Sequence, residues 1–124
     1  MYKKLSPQEY LVLKNEDMNW QLLDVREPWE IEIAHISGSL NIPINEINMR
    51  MNEIDKNYSI AVICHSGIRS AKVADILLEN SFHKVANIEG GIHEWAENLD
   101  RSVLENCPMK HEDTKKTLFK FLND

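Results

Sequence analysis

Apolar positions along the chain form short branched runs that alternate with longer stretches of helical spacing. The runs at residues 21–25 and 85–88 are short enough to be strands, and the run at 59–63 (Ser-Ile-Ala-Val-Ile) is typical of a central parallel strand buried on both faces. Between Ser70 and Asn80 the apolar residues recur with the helical period, with charged residues on the other side. This pattern predicts strands that alternate with helices.

Capping residues and prolines set the other elements. Ser6, Pro7 and Glu9 have the spacing of a capping box with proline in the first turn, which predicts a helix to about Asn15. Proline also limits the segment 40–44, which we expect at a sheet edge. Three further helices are predicted at residues 28–33, 45–54 and 92–96.

Alternating strands and helices at this spacing indicate an α/β fold, with a mostly parallel central sheet flanked by helices on both faces. The ligand site of such a sheet lies beyond the carboxyl ends of its strands. Two loops that leave this edge carry unusual residues, namely 24–27 (Asp-Val-Arg-Glu) and 64–69 (Cys-His-Ser-Gly-Ile-Arg). We therefore expect the functional site where these loops meet.

Composition narrows the class of protein. The 124 residues, 43% hydrophobic and 27% charged, suit one globular domain over 1–99 and a C-terminal extension over 100–124, with a helix at 112–122 that packs on the core or forms an oligomer contact. The net charge of −6 disfavours binding to nucleic acid or an anionic membrane. Two cysteines, Cys64 and Cys107, without a signal peptide or a membrane span, predict a cytoplasmic protein with reduced thiols.

The loop that begins at Cys64 has the features of a nucleophile held in an anion cradle. Gly67 lets a short connection curl, so that backbone N–H groups point toward the sulfur while the following helix contributes positive potential. Arg69 is expected to hold an anion or to brace the loop, and His65 and Ser66 offer further donors. These neighbours favour the thiolate of Cys64 at neutral pH and its attack on an anionic substrate.

Residues outside this loop have supporting roles in this interpretation. Asp24 and Arg26 could order neighbouring loops and add positive potential, although a structural salt bridge is the stronger reading. His35 is expected to be a hydrogen-bonded loop residue. The five histidines have no ligand spacing with one another or with the cysteines, so no metal and no other cofactor is predicted.

Four ordered segments together resemble the rhodanese-like sulfurtransferases. They are Leu-Leu-Asp-Val-Arg-Glu at 22–27, His-Ile-Ser-Gly-Ser-Leu-Asn-Ile-Pro at 35–43, Cys-His-Ser-Gly-Ile-Arg-Ser at 64–70 and Gly-Gly-Ile-His-Glu-Trp at 90–95. The resemblance implies that Cys64 carries sulfane sulfur as a persulfide, taken from a donor such as thiosulfate and passed to cyanide or a thiol. A protein acceptor of sulfur is also compatible with it. The loop amides of His65, Ser66, Gly67, Ile68, Arg69 and Ser70 would match the persulfide cradle of the family.

The sequence leaves alternatives open. Ala34 and Ser39 stand where the family often has Gly and Ala, which affects the pocket wall but not the nucleophile. Related cysteine phosphatases and arsenate reductases have five residues between cysteine and arginine, whereas four separate Cys64 from Arg69 here. A non-catalytic interaction module of the same fold is the other alternative. Cys107 could relay sulfur from Cys64, but an incidental tail cysteine is the simpler reading.

Overall fold

The computed structural model describes residues 1–98, which form five strands and five helices. The strands are β1 (Lys3–Leu5), β2 (Trp20–Asp24), β3 (Leu40–Asn41), β4 (Ser59–Ile63) and β5 (Val85–Ile88). The helices are α1 (Pro7–Glu16), α2 (Pro28–Ile33), α3 (Ile47–Arg50), α4 (Ile68–Glu79) and α5 (Gly91–Asn98). Short 3₁₀ turns, Ile44–Glu46 and Met51–Glu53, flank α3.

The strands form one sheet in the order β1-β5-β4-β2-β3, and every strand pair in it is parallel. The most extensive pairing joins β2 to β4 over the whole length of both strands, from Trp20 opposite Ser59 to Asp24 opposite Ile63. All five residues of β4 are buried, as expected for a central strand. The parallel arrangement brings the ends of β2, β4 and β5 to one edge of the sheet.

Helices cover both faces of this sheet, and each face has its own apolar cluster. One cluster joins alternate strand residues such as Leu23 and Val62 to Val73 and Leu77 of α4. The other joins the strand residues of the opposite parity to the side chains of α1 and α5, where the rings of Tyr10 and Trp95 lie 5.9 Å apart. The predicted α/β class and the helices on both faces are confirmed.

The capping signal at the start of α1 is also confirmed. The Ser6 hydroxyl accepts a hydrogen bond from the Glu9 amide at 3.1 Å, and the Ser6 amide donates to the Glu9 carboxylate at 2.9 Å. These two backbone N–H groups would otherwise have no hydrogen-bond partner at the start of the helix. The sheet edge predicted near residue 40 is observed as β3, which is limited to two residues.

Two predicted helices differ from the structure, and one strand was not predicted. Helix α4 begins at Ile68 rather than Ser70, because Gly67 adopts a positive φ of 102° and ends the loop there. The helix predicted over 45–54 is instead α3 between two 3₁₀ turns. Strand β1 was missed, because only Leu5 among its three residues is apolar and buried. The predicted helix at 112–122 and Cys107 lie outside the described residues.

Candidate functional site

Cys64 lies directly after β4, at the carboxyl edge of the sheet, and only 1% of it is exposed. Two groups that can donate a hydrogen bond face its sulfur. The backbone N–H of Gly67 donates to Sγ over 3.1 Å, and the Ser70 hydroxyl oxygen lies 3.3 Å from Sγ. The sulfur is therefore held between the loop backbone and the first turn of α4, and Cys64 is largely shielded from water.

The turn that aims the Gly67 amide at the sulfur depends on the left-handed conformation of this residue. Gly67 is the N-cap of α4, and its carbonyl accepts from the buried Asn87 side chain at 3.2 Å. A β-branched or bulky residue would be strained at this φ. A single glycine thus fixes both the end of the loop and the direction of a donor toward Cys64.

The start of α5 supports the loop from its other side. The amide of Ile92 donates to the Cys64 carbonyl at 2.9 Å, and the amide of His93 donates to the His65 carbonyl at 3.3 Å. Gly91 passes so close that a Cβ there would lie 2.5 Å and 2.6 Å from the carbonyl oxygen and carbon of His65. The loop backbone is therefore fixed to α5 by hydrogen bonds and by close packing.

Arg69 points toward α2, where it forms a bidentate ion pair with Glu30. The guanidinium nitrogens lie 2.7 Å and 3.0 Å from the two carboxylate oxygens. Burial would raise the pKa of Glu30, but hydrogen bonds from Arg69 and from the Glu27 amide, with the charge of Arg69, hold that pKa below its usual range. The pKa of Arg69 is raised, mainly by its hydrogen bonds with Glu30. This pair joins the first turn of α4 to α2.

Asp24 and Arg26 form a second ion pair that is fully buried. The Arg26 guanidinium lies 2.8 Å from the Asp24 carboxylate and also donates to the Ala34 carbonyl at 2.7 Å. Asn41 spans the same turn and donates to the backbone carbonyls of Asp24 and Arg26. With neither side chain exposed, this pair orders the loop between β2 and α2.

The other predicted site residues differ widely in exposure. Ser66 is exposed and Ile68 is 68% exposed, whereas Ser70 is buried. His65 and His35 are both half-buried. Because α4 begins at Ile68, the cradle has two parts, a loop over 64–67 and the first helical turn, rather than one six-residue loop.

Three residues at the site were missed by the sequence reasoning as contributors to it. Glu30 pairs with Arg69, Asn87 contacts both Ser70 and Gly67, and Gly91 allows the close approach of α5. Asn87 could have been noticed in the sequence, because it is the single polar residue of the strand run Val-Ala-Asn-Ile. Glu30 left none, since its partner is 39 residues away in the sequence.

Residues 1–98 contain neither a cluster of metal-ligating side chains nor a helix that could span a membrane. Within that range no group of three or more His, Cys, Asp or Glu side chains is arranged to hold a metal ion. The helices of the same part of the chain are too short or too polar to cross a membrane.

Comparison with known proteins extends these observations. A "Putative sulfur carrier protein YrkF" of Bacillus subtilis strain 168 is 42% identical over 81 residues, which are 65% of this chain and 44% of that protein. A "Sulfurtransferase" of Allochromatium vinosum is 37% identical over 75 residues, 60% of this chain and 70% of its own length. The chain thus spans less than half of YrkF.

A solved structure has the same fold. The crystal structure of a rhodanese-related protein from Thermoplasma volcanium superposes with a TM-score of 0.70 at 31% identity, over 86% of this chain and 96% of the other. The sequence model of the rhodanese-like domain matches residues 6–98. This match includes strands β2 to β5 and the Cys64 loop. The chain therefore belongs to the rhodanese-like domain family.

Proposed function

We propose that this protein is a sulfurtransferase that moves sulfane sulfur from thiosulfate, or a related donor, to a thiophilic acceptor through a persulfide on Cys64. The observation that carries the proposal is the buried Cys64 sulfur, faced by the Gly67 amide and the Ser70 hydroxyl at 3.1 Å and 3.3 Å. Two relatives are named as a sulfur carrier and as a sulfurtransferase, which supports the same chemistry.

In the loading step the Cys64 thiolate attacks the outer sulfur of thiosulfate. A bond forms between Sγ and that sulfur, the S–S bond of thiosulfate breaks, and sulfite leaves with the electron pair. No general base is needed once the thiol is ionised, and hydrogen-bond donors held close to the sulfur stabilise the negative charge. The buried position of Cys64 also limits competing reactions with water.

In the unloading step an acceptor thiolate or cyanide attacks the outer sulfur of the Cys64 persulfide. The S–S bond breaks, the acceptor keeps the transferred sulfur, and the Cys64 sulfur leaves as a thiolate. The Gly67 amide and the Ser70 hydroxyl are placed to stabilise this leaving group. The same two donors therefore serve both halves of a ping-pong cycle.

Phosphatase or arsenate reductase chemistry is less well supported by this site. Four residues separate Cys64 from Arg69, one fewer than in those enzymes. Both terminal nitrogens of Arg69 hydrogen-bond to Glu30, so this guanidinium is already engaged and does not clamp a phosphoryl group on Cys64 in this arrangement. Sulfur transfer leaves a single sulfur atom on Cys64, which this shorter loop suits better than a bulkier phosphoryl group.

We assign the activity to residues 1–99 and treat 100–124 as an extension. The reducing environment of the cytoplasm, which keeps thiols free, suits a carrier of this kind. A thiol of a small molecule or of a protein can act as the acceptor in this mechanism.

Intact-protein mass spectrometry tests the proposal. The protein is incubated with thiosulfate without reductant, and the expected result is a gain of one sulfur atom that cyanide removes. Cys107→Ser is the matched control and should load as the wild type does, whereas Cys64→Ser should not load. An adduct that persists in Cys64→Ser, or no adduct together with hydrolysis of an aryl phosphate, would contradict the proposal.

A further inference from the structure

Asn87 is a buried polar side chain near the end of β5 that contacts both residues whose donor groups lie next to the Cys64 sulfur. It is 1% exposed. Its Nδ2 donates to the Gly67 carbonyl at 3.2 Å and to a Glu89 carboxylate oxygen at 2.8 Å, and its Oδ1 hydrogen-bonds to the Ser70 hydroxyl. One side chain thus contacts the residue that supplies the amide donor and the residue that supplies the hydroxyl donor.

The chemistry of its partners fixes the orientation of the Asn87 amide. The Gly67 carbonyl and the Glu89 carboxylate can only accept, so the amide nitrogen must face them. The amide oxygen is then left facing Ser70, and because this oxygen can only accept, the Ser70 hydroxyl must be the donor in that contact.

Ser70 has one hydroxyl proton but two groups within reach that can accept it. One is Oδ1 of Asn87 and the other is Sγ of Cys64, at 3.3 Å. When the proton points to Asn87, the oxygen of Ser70 presents a lone pair to the sulfur. That arrangement suits a thiol, which can donate its own proton to Ser70, and it does not suit a thiolate.

We propose that Asn87 is a positioning residue for the Ser70 hydroxyl. Asn87 accepts the hydrogen bond of this hydroxyl whenever Sγ is uncharged, and the hydroxyl turns from Asn87 to Sγ when Sγ becomes a thiolate. Uncharged sulfur occurs in the thiol and, if the proposed function holds, in the inner sulfur of the persulfide. The hydroxyl turns toward Sγ when negative charge develops on Cys64, either by ionisation of the thiol or by cleavage of the bond to the outer sulfur.

Two consequences follow for the cycle. Asn87 competes with the thiolate for one proton, so it shifts Cys64 toward its uncharged forms. It also favours the persulfide over the discharged thiolate, which keeps the carried sulfur in place until an acceptor arrives. Removing the competing acceptor should make Cys64 more readily ionised and the persulfide more easily discharged, provided that Ser70 is present.

The test measures alkylation of Cys64 by iodoacetamide against pH, in a Cys107→Ser background and without any sulfur donor. Four proteins are compared: the parent, Asn87→Leu, Ser70→Ala and the double variant. Asn87→Leu also removes the hydrogen bonds to Gly67 and Glu89, but that loss is common to both backgrounds. A double-mutant cycle isolates the part that depends on Ser70.

With Ser70 present, Asn87→Leu is expected to move the midpoint of the pH profile lower than it does in the Ser70→Ala background. The expected difference is a threefold to tenfold change in the thiolate fraction, about the effect of one hydrogen bond. The same shift in both backgrounds would show a structural role only and would overturn the proposal, as would a difference of opposite sign. If Asn87→Leu does not fold, as judged by circular dichroism, Asn87→Ala replaces it in the cycle.

A second arm concerns the persulfide and separates this proposal from the proposed function. After loading with thiosulfate, Asn87→Leu should lose sulfur to a fixed concentration of thiol about threefold to tenfold faster than the parent. Slower or equal loss would contradict the role of Asn87 in the persulfide. Failure of the parent to load at all would refute sulfur transfer, while the alkylation cycle would still decide whether Asn87 controls the Ser70 proton.

Discussion

Replacing Gly91 by alanine tests whether α5 sets the position of the Cys64 loop. A Cβ at this position would meet the carbonyl oxygen of Cys64 and would lie 2.5 Å from that of His65, where ordinary contact begins at 3.4 Å. The loop backbone, or the start of α5, must therefore move by about 1 Å. A displacement of about 1 Å in a reacting group can cost about a hundredfold in rate.

Gly38→Ala is the matched control for this change. Gly38 also has a positive φ, 83° against 58° for Gly91, but nothing lies within 4 Å of a Cβ there. Both variants bear the conformational cost of alanine in the left-handed region, about 1–2 kcal/mol. Gly91→Ala bears in addition an overpacking cost of about 1–3 kcal/mol.

Urea unfolding followed by circular dichroism and the rate of Cys64 persulfide formation measure the two effects. Gly91→Ala should be less stable than Gly38→Ala by that overpacking cost and should load sulfur about a hundredfold more slowly. Gly38→Ala should load at the wild-type rate. Equal stability and equal loading of the two variants would refute the view that close packing of α5 positions the loop.

Three further predictions concern the ion pairs. Arg69→Ala leaves the Glu30 carboxylate, which is 2% exposed, without its guanidinium partner. It should lower the free energy of unfolding by about 1–3 kcal/mol and should raise the thiosulfate KM or lower kcat. Unchanged stability and kinetics would show that the pair does not contribute to the site. Because the pKa of Glu30 is lowered from 4.5, its ionised form stabilises the fold above that pH. The difference in stability between wild type and Glu30→Gln should therefore shrink as urea titrations are repeated at lower pH. A difference that stays constant with pH would contradict a stabilising role of the ionised carboxylate. Asp24→Asn leaves Arg26 buried without a counter-charge and should lower the free energy of unfolding by about 3–5 kcal/mol. Arg50→Ala, which removes two solvent-accessible ion pairs, should lower it much less. Similar losses in the two variants would contradict the effect of burial.

Much of this protein could be predicted from local patterns. The alternation of strands and helices, the capping box at Ser6 and the buried strand before Cys64 each depend on neighbouring residues, and local chemistry is visible in a sequence. The boundary of α4 was less predictable, because Gly67 is equally compatible with a longer loop and with a helix cap. The roles of the predicted loop residues stay predictions until they are measured.

The sequence by itself determined the fold class, the position of Cys64 at the end of a central strand and the glycine that lets the loop turn. The tertiary structure alone decided which side chains meet at that edge. Glu30 reaches Arg69 across 39 residues of sequence, and Asn87 reaches Ser70 across 17. Such contacts depend on which strands become neighbours in the sheet, and strand order is a long-range property that no local pattern records. The partner of each polar group, and hence the electrostatics around the Cys64 sulfur, follows from that order.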